Sequence, residues 1–287
     1  MATLPTPHGA FYLRRTICCS VKTIRSHVIA GMTLFILHLA PLHAALSPLE
    51  LQLQSTVKHS SKERVVLLRQ LVEINSGTTN LSGVYEVGKI AEHTLSQLGF
   101  STTWIQEPPS MQRAATLVAY HPGTKGKKLV LIGHLDTVFS VDSPFQHFKL
   151  KQYSAKGPGT LDDKGGLVVM FSTLTALKSV GALANADITI VLTGDEEDSG
   201  KPSSISRRPL KEAARGKDIA LDFEPAVSSG TVSIARRGIS NWLITAVGNE
   251  SHSATIFQAG VGDGAIFEVA RILNTLRHYY AKEEDLS

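Results

Sequence analysis

Beyond its first twenty residues the sequence contains no cysteine: both thiols, Cys18 and Cys19, stand near the amino terminus. A chain processed after that point has no disulfide framework, no zinc–cysteine site and no cysteine nucleophile. Any metal would have to be held by His, Asp and Glu. Acid is missing from the same region. Residues 1–44 carry Arg14, Arg15, Lys22 and Arg25 and no Asp or Glu. Setting those four aside from the 29 basic residues leaves 25, against 25 acidic residues. The basic pI is therefore a property of the leader, and a nucleic-acid partner loses its support. A long apolar run is also lacking. Val28–Leu37 is apolar, but His38 and Pro41 interrupt it before the ~20 residues that a spanning helix needs. Basic residues, a short apolar core and the small residues Ala44 and Ala45 follow in the order of a secretory signal. The expectation is a signal peptide over 1–44, a periplasmic or secreted product, and no stable membrane insertion once the leader is removed. A membrane anchor is the competing reading.

Neither internal repeats nor low-complexity tracts interrupt the rest, whose pattern is α/β. Apolar residues recur at helical spacing over Ser60–Ile74 and Tyr85–Leu98. Short β-rich stretches follow at Thr102–Ile105 and Thr116–Tyr120. Leu129–Ile132 and Ile188–Leu192 are continuous apolar runs of the kind that form strands covered on both faces, and Asp218–Phe223 is read as a third. Gly165–Val180 between them reads as a helix. The pattern predicts a three-layer α/β catalytic domain over 45–236 with a largely parallel central sheet. Past Arg236, a strand over Ile239–Val247 and an amphipathic helix over Gly264–Tyr280 suggest the beginning of a smaller α+β lid or dimerisation domain, 237–287.

Four polar clusters fall at the carboxyl ends of these strands or at the start of a following helix, the edge where open α/β sheets bind ligands. They are Gly133-His134-Leu135-Asp136-Thr137, the glycine-rich run 157–166 with Asp162 and Asp163, Thr193-Gly194-Asp195-Glu196-Glu197-Asp198, and Leu221-Asp222-Phe223-Glu224-Pro225. Singly each reads as well as a capping or surface acid. Together they offer one histidine and several carboxylates with no matching basic cluster, a set that calls for metal ions, zinc foremost, although Co²⁺ or Mn²⁺ suits such ligands too. If the strand pleat continues, His134 and Asp136 share a face.

These four motifs, with Glu250-Ser251-His252-Ser253-Ala254, resemble in order and spacing the two-zinc exopeptidases and deacylases typified by the glutamate carboxypeptidases and aminoacylases, the folate-type glutamate carboxypeptidases above all. The resemblance runs from about Ser60 to the end. It implies that Asp162 bridges two zincs, that His134 and Glu224 complete one site, and that Glu197 binds the other ion. Asp136 would orient His134, Glu196 would be the general base acting on a metal-bridging water, and His252 would bind the substrate carbonyl. The implied reaction is hydrolysis of the amide bond in small peptides or N-acyl amino acids, C-terminal glutamate among them, and relatives of this kind often form homodimers. The family also uses a further histidine on the second zinc, in a returning carboxyl-terminal part. His121, His147 and His278 have no motif context to replace it, so a metal-binding but catalytically impaired fragment is the alternative expectation.

Overall fold

The computed structural model describes residues 46–281, apart from 153, 229, 237, 239–241 and 262–263. The expected leader lies outside the described residues. The chain divides into two compact units, 1–50 and 51–287, and the second carries the sheet.

In chain order the elements are α1 (Pro48–His59), α2 (Ser61–Val72), α3 (Leu81–Leu98), β1 (Ser101–Ile105), β2 (Thr116–His121), β3 (Lys125–His134), β4 (Lys149–Lys151), β5 (Ser154–Lys156), α4 (Lys164–Ser179), β6 (Ala186–Thr193), α5 (Ser203–Ser206), α6 (Arg208–Ala214), β7 (Ile219–Asp222) and α7 (Gly264–Tyr280). Five strands form one sheet in the order β1-β2-β6-β3-β7. The half that carries the polar clusters is parallel, since β3 runs parallel to both β6 and β7. Antiparallel β2 and β1 extend it on the other side. The hairpin β4–β5 stands apart.

The core follows from the two periodicities. On α3, Val84, Val87, Ala91, Leu95 and Leu98 recur every three or four residues and meet Leu167, Met170, Phe171 and Leu174 of α4. Both helices pack on Leu117 and Ala119 of β2 and on Ile188, Ile190 and Leu192 of β6. Strand alternation turns Thr189, Val191 and Thr193 to the opposite face, where they too are buried; α6 packs against β6 and β2. That arrangement gives the three layers expected.

Two expectations fail in detail. Asp218–Phe223 contains the strand β7, but it is not buried: among the described residues β7 pairs only with β3, and all four of its residues are exposed, Leu221 at 42%. An apolar run reports what a strand can bury, not whether a neighbour covers it. The strand expected over Ile239–Val247 is absent from its described part, 242–247. Trp242 and Leu243 are exposed at 77% and 93%, and without a partner for its backbone groups a strand does not form. The helix Gly264–Tyr280 is present as expected. Among the described residues no helix is long and apolar enough to cross a membrane.

Candidate metal centre

The polar clusters meet at the carboxyl edge of the parallel half-sheet. His134 is the last residue of β3 and is fully buried. Its register partner Thr193 ends β6, and β7 ends at Asp222 opposite Ile132. The segments leaving these three strands therefore emerge side by side, and residues distant in sequence become neighbours.

His134 is held from both ring nitrogens. Nδ1 lies 3.1 Å from the Asp136 carbonyl oxygen and 3.3 Å from its Oδ1. Nε2 faces out of the sheet edge, 2.8 Å from Asp162 Oδ1 and 3.4 Å from Glu224 Oε1. The shared face expected for His134 and Asp136 is thus observed. The Asp136 carboxylate has further partners that the sequence did not announce. It accepts from Thr78 Oγ1 at 2.7 Å, from the Glu196 N–H at 3.0 Å and from the Glu197 N–H at 3.1 Å. Thr78 belongs to the loop 76–78, which runs beside Thr137 through the bonds Thr137 N–H to Ser76 O and Thr78 N–H to Thr137 O.

The four consecutive acids after β6 divide in two. Glu196 and Glu197 join the cluster. Asp195 turns away into a buried network, accepting from the Gly200 N–H, from Ser206 Oγ and from Arg207 Nη1, each at 2.7 Å. Asp198 is exposed and pairs with Arg113. The two acids before α4 divide as well. Asp162 reaches His134 Nε2, whereas Asp163, the residue immediately before α4, is buried and accepts the His134 backbone N–H at 3.2 Å. Two glycines make room for it. A Cβ on Gly166 would lie 2.0 Å from Asp163 Oδ1, and one on Gly133 2.7 Å from Oδ2. Lys164, also buried, donates to the Ile74 carbonyl at 2.7 Å and fixes the loop that follows α2.

Electrostatics bear the mark of a site crowded with negative charge. For His134, burial opposes protonation, but hydrogen bonds to Asp136 and Glu224 and the nearby carboxylates push the pKa up to about 12. Burial raises Glu197 to about 7, with Asp162's charge adding to it, and burial also raises Glu196. Glu224 is lowered by its hydrogen bond to His134. Asp136 is lowered although burial acts the other way, because the imidazole, Thr78 and the Glu196 N–H favour its charged form. Burial lifts Asp163 to about 8 and depresses Lys164 to about 8.

The donor set fits divalent ions. Two groups of three, His134-Asp162-Glu197 and His134-Glu196-Glu224, each place one ligand atom per residue within 4.8 Å of the others. An imidazole ringed by carboxylates, with Asp163 Oδ1 buried nearby without a partner, is a negative cavity that a cation neutralises. All four expected ligands, and Glu196, are thus brought together. Nε2 faces both Asp162 and Glu224, but the structure groups Asp162 with Glu197 and Glu224 with Glu196, so the expected triad His134-Asp162-Glu224 is not itself one of the two groups. His252 is not brought to the cluster. It is exposed beside a turn, where its Nδ1 accepts from the Ala254 N–H at 3.2 Å.

Comparison with known proteins gives a consistent result. Residues 130–273, just over half of the 287-residue chain, match the model of peptidase family M20/M25/M40. Carboxypeptidase G2 of Pseudomonas sp. (strain RS-16) is 33% identical over 199 residues, covering 68% of this chain and 46% of that protein. A probable succinyl-diaminopimelate desuccinylase of Staphylococcus aureus (strain MSSA476) is 26% identical over 234 residues, covering 79% of this chain and 54% of that protein. The chain thus spans about half the length of the curated relatives it matches. Two solved structures share the fold: the di-peptidase Dug1p from Saccharomyces cerevisiae, with TM-score 0.50, 21% identity and coverage of 60% of this chain and 40% of that one, and human carnosine dipeptidase 1, with TM-score 0.50, 20% identity and coverage of 61% and 40%.

Proposed function

This chain belongs to peptidase family M20/M25/M40, and from that premise we propose that its cluster is the metal centre of a zinc-dependent exopeptidase of carboxypeptidase type. Its substrates would be small peptides or N-acyl amino acids, C-terminal glutamate among them. The observation that carries the reading is the convergence of one buried imidazole and four carboxylates at the carboxyl edge of the parallel half-sheet. The likeness to a carboxypeptidase supports the choice of reaction.

His134, Asp162 and Glu224 would hold one ion, and Asp162 with Glu197 the other. Bound ions supply Lewis acidity toward the scissile carbonyl and lower the pKa of water. The remaining work falls to the chain's own residues. Asp136 fixes the tautomer and direction of His134 by accepting a hydrogen bond from Nδ1–H, leaving Nε2 free to ligate. Glu196, whose pKa burial raises, would be the general base, taking a proton from the attacking water and passing it to the leaving amine. His252 is assigned to the substrate carbonyl on its sequence motif alone. The pattern of the first 44 residues supports export to the periplasm or beyond.

The test is hydrolysis of N-acyl glutamates and dipeptides by the zinc-loaded chain. Glu196→Gln should lower kcat by about 10²–10⁴-fold and leave the metal content unchanged. Unchanged kcat in that variant would remove Glu196 from the role. Full metal content with no turnover of any substrate would leave a metal-binding protein and no peptidase.

A further inference from the structure

The two acids that face the cluster are consecutive, yet they are assigned different tasks, and neighbouring side chains diverge reliably only if the backbone between them is fixed. Both peptide units that flank Glu196 are held on both edges. In the 195–196 unit the Glu196 N–H donates to Asp136 Oδ1 at 3.0 Å, and the Asp195 carbonyl accepts from Arg207 Nη2 at 3.0 Å. In the 196–197 unit the Glu197 N–H donates to Asp136 Oδ2 at 3.1 Å, and the Glu196 carbonyl accepts from the same Arg207 Nη2 at 3.3 Å. A carboxylate therefore grips the two N–H groups and a guanidinium grips the two carbonyls. Because each peptide unit is planar, fixing both planes fixes the direction in which the Glu196 side chain leaves the backbone.

Arg207 is itself anchored. Nη1 donates to Asp195 Oδ1 at 2.7 Å and to Ser206 Oγ at 3.0 Å, Nη2 also reaches Ser199 Oγ, and Ser206 Oγ returns a bond to Asp195 Oδ2 at 2.7 Å. Asp195 is fully buried, so its carboxylate has no solvent substitute for these partners. We propose that Arg207, locked by Asp195, is a positioning residue that aims Glu196 and Glu197 at the metal centre from the side opposite Asp136. The inference rests on the reading of Glu196 as general base. It also accounts for the otherwise idle first acid of the run 195–198, whose charge serves the arginine and not the ion. The planar fork is essential, since one guanidinium spans a carboxylate and two carbonyls, whereas an ammonium offers a single point of attachment.

The experiment uses the full chain with Arg207→Ala, Arg207→Lys and, as control, Arg113→Ala, whose guanidinium grips Asp198 farther along the loop. The first readout is the visible spectrum of the Co²⁺-substituted protein together with exchange of the Glu196 and Glu197 amide protons. Both Arg207 variants should alter the spectrum and speed that exchange, and Arg113→Ala should do neither. The second readout is turnover. In both Arg207 variants kcat should fall by roughly 10–100-fold, as expected for loss of an outer-layer contact at a metal site, with KM unchanged, and added guanidinium should restore part of the kcat of Arg207→Ala. Arg207 variants with a lowered melting temperature but wild-type Co²⁺ spectrum, exchange and kcat would reduce the residue to a structural support and overturn the proposal. If the wild-type chain hydrolyses nothing, the proposed reaction falls, and the spectrum and exchange still decide for or against the clamp.

Discussion

Thr78 lies 58 residues upstream of Asp136 and donates it a 2.7 Å hydrogen bond inside the core, yet nothing local in its sequence marks it. A hydrogen bond to a charged, buried carboxylate contributes about 1.5–3 kcal/mol. Thr78→Val keeps the shape, so it should lower stability by that order in a denaturant titration and weaken zinc binding in calorimetry. Wild-type behaviour in both would mean that Asp136 does not depend on the loop 76–78. By contrast, the relation of His134 to Asp136 was legible, because alternation along a strand puts residues two apart on one face. Which of Asp162 and Asp163 faces the His134 cluster was not legible from adjacency. That depends on the turn into α4, where Gly166 leaves space for the Asp163 carboxylate. Gly166→Ala would set a methyl group 2.0 Å from Asp163 Oδ1 and 2.2 Å from the Phe223 carbonyl, and should destabilise by at least the roughly 1–3 kcal/mol typical of overpacking. Stability equal to wild type would contradict the packing described for that turn.

At the scale of elements, helices and central strands were readable because their apolar periodicity is the cause of their burial. Ile188, Ile190 and Leu192 of β6 are covered by α3 and α4, so the run predicts the strand and its surroundings at once. Ile219 and Leu221 form a similar run in β7 but remain 42% exposed, since coverage is a property of neighbours and leaves no trace in the strand itself. The difference is measurable. Ile190→Ala, at a fully buried position, should cost about 2–5 kcal/mol. Leu221→Ala should cost well under half of that, because much of its surface is already in water. Equal costs in chemical denaturation would place an unseen partner over β7. The acid loop after β6 shows the same limit. Four consecutive acids were visible as a cluster, but their division into two that face His134 and two that bind Arg207 and Arg113 is set by residues that lie outside the run.

For the molecule as a whole, the fold gathers carboxylates at one edge of a sheet, where they repel one another unless a cation is present. His134 meets part of that demand by holding a proton, its pKa pushed up to about 12. A ligating imidazole must be neutral, so zinc has to displace that proton. Apparent zinc affinity should therefore rise with pH, and calorimetry in buffers of different ionisation enthalpy should register proton release on binding. Binding without proton release would show that His134 is not the group displaced. Zinc at a hundredfold excess over its Kd should also stabilise the fold by about 2.7 kcal/mol, and a chelator should reverse the gain. The most direct test of the account is the metal content of the dialysed chain at neutral pH, wild type beside His134→Ala. His134 belongs to both groups of candidate ligands, so the wild type should retain tightly bound zinc and the variant should lose it while keeping its secondary structure. Equal metal content in the two proteins would contradict the assignment of this edge of the sheet as the metal centre.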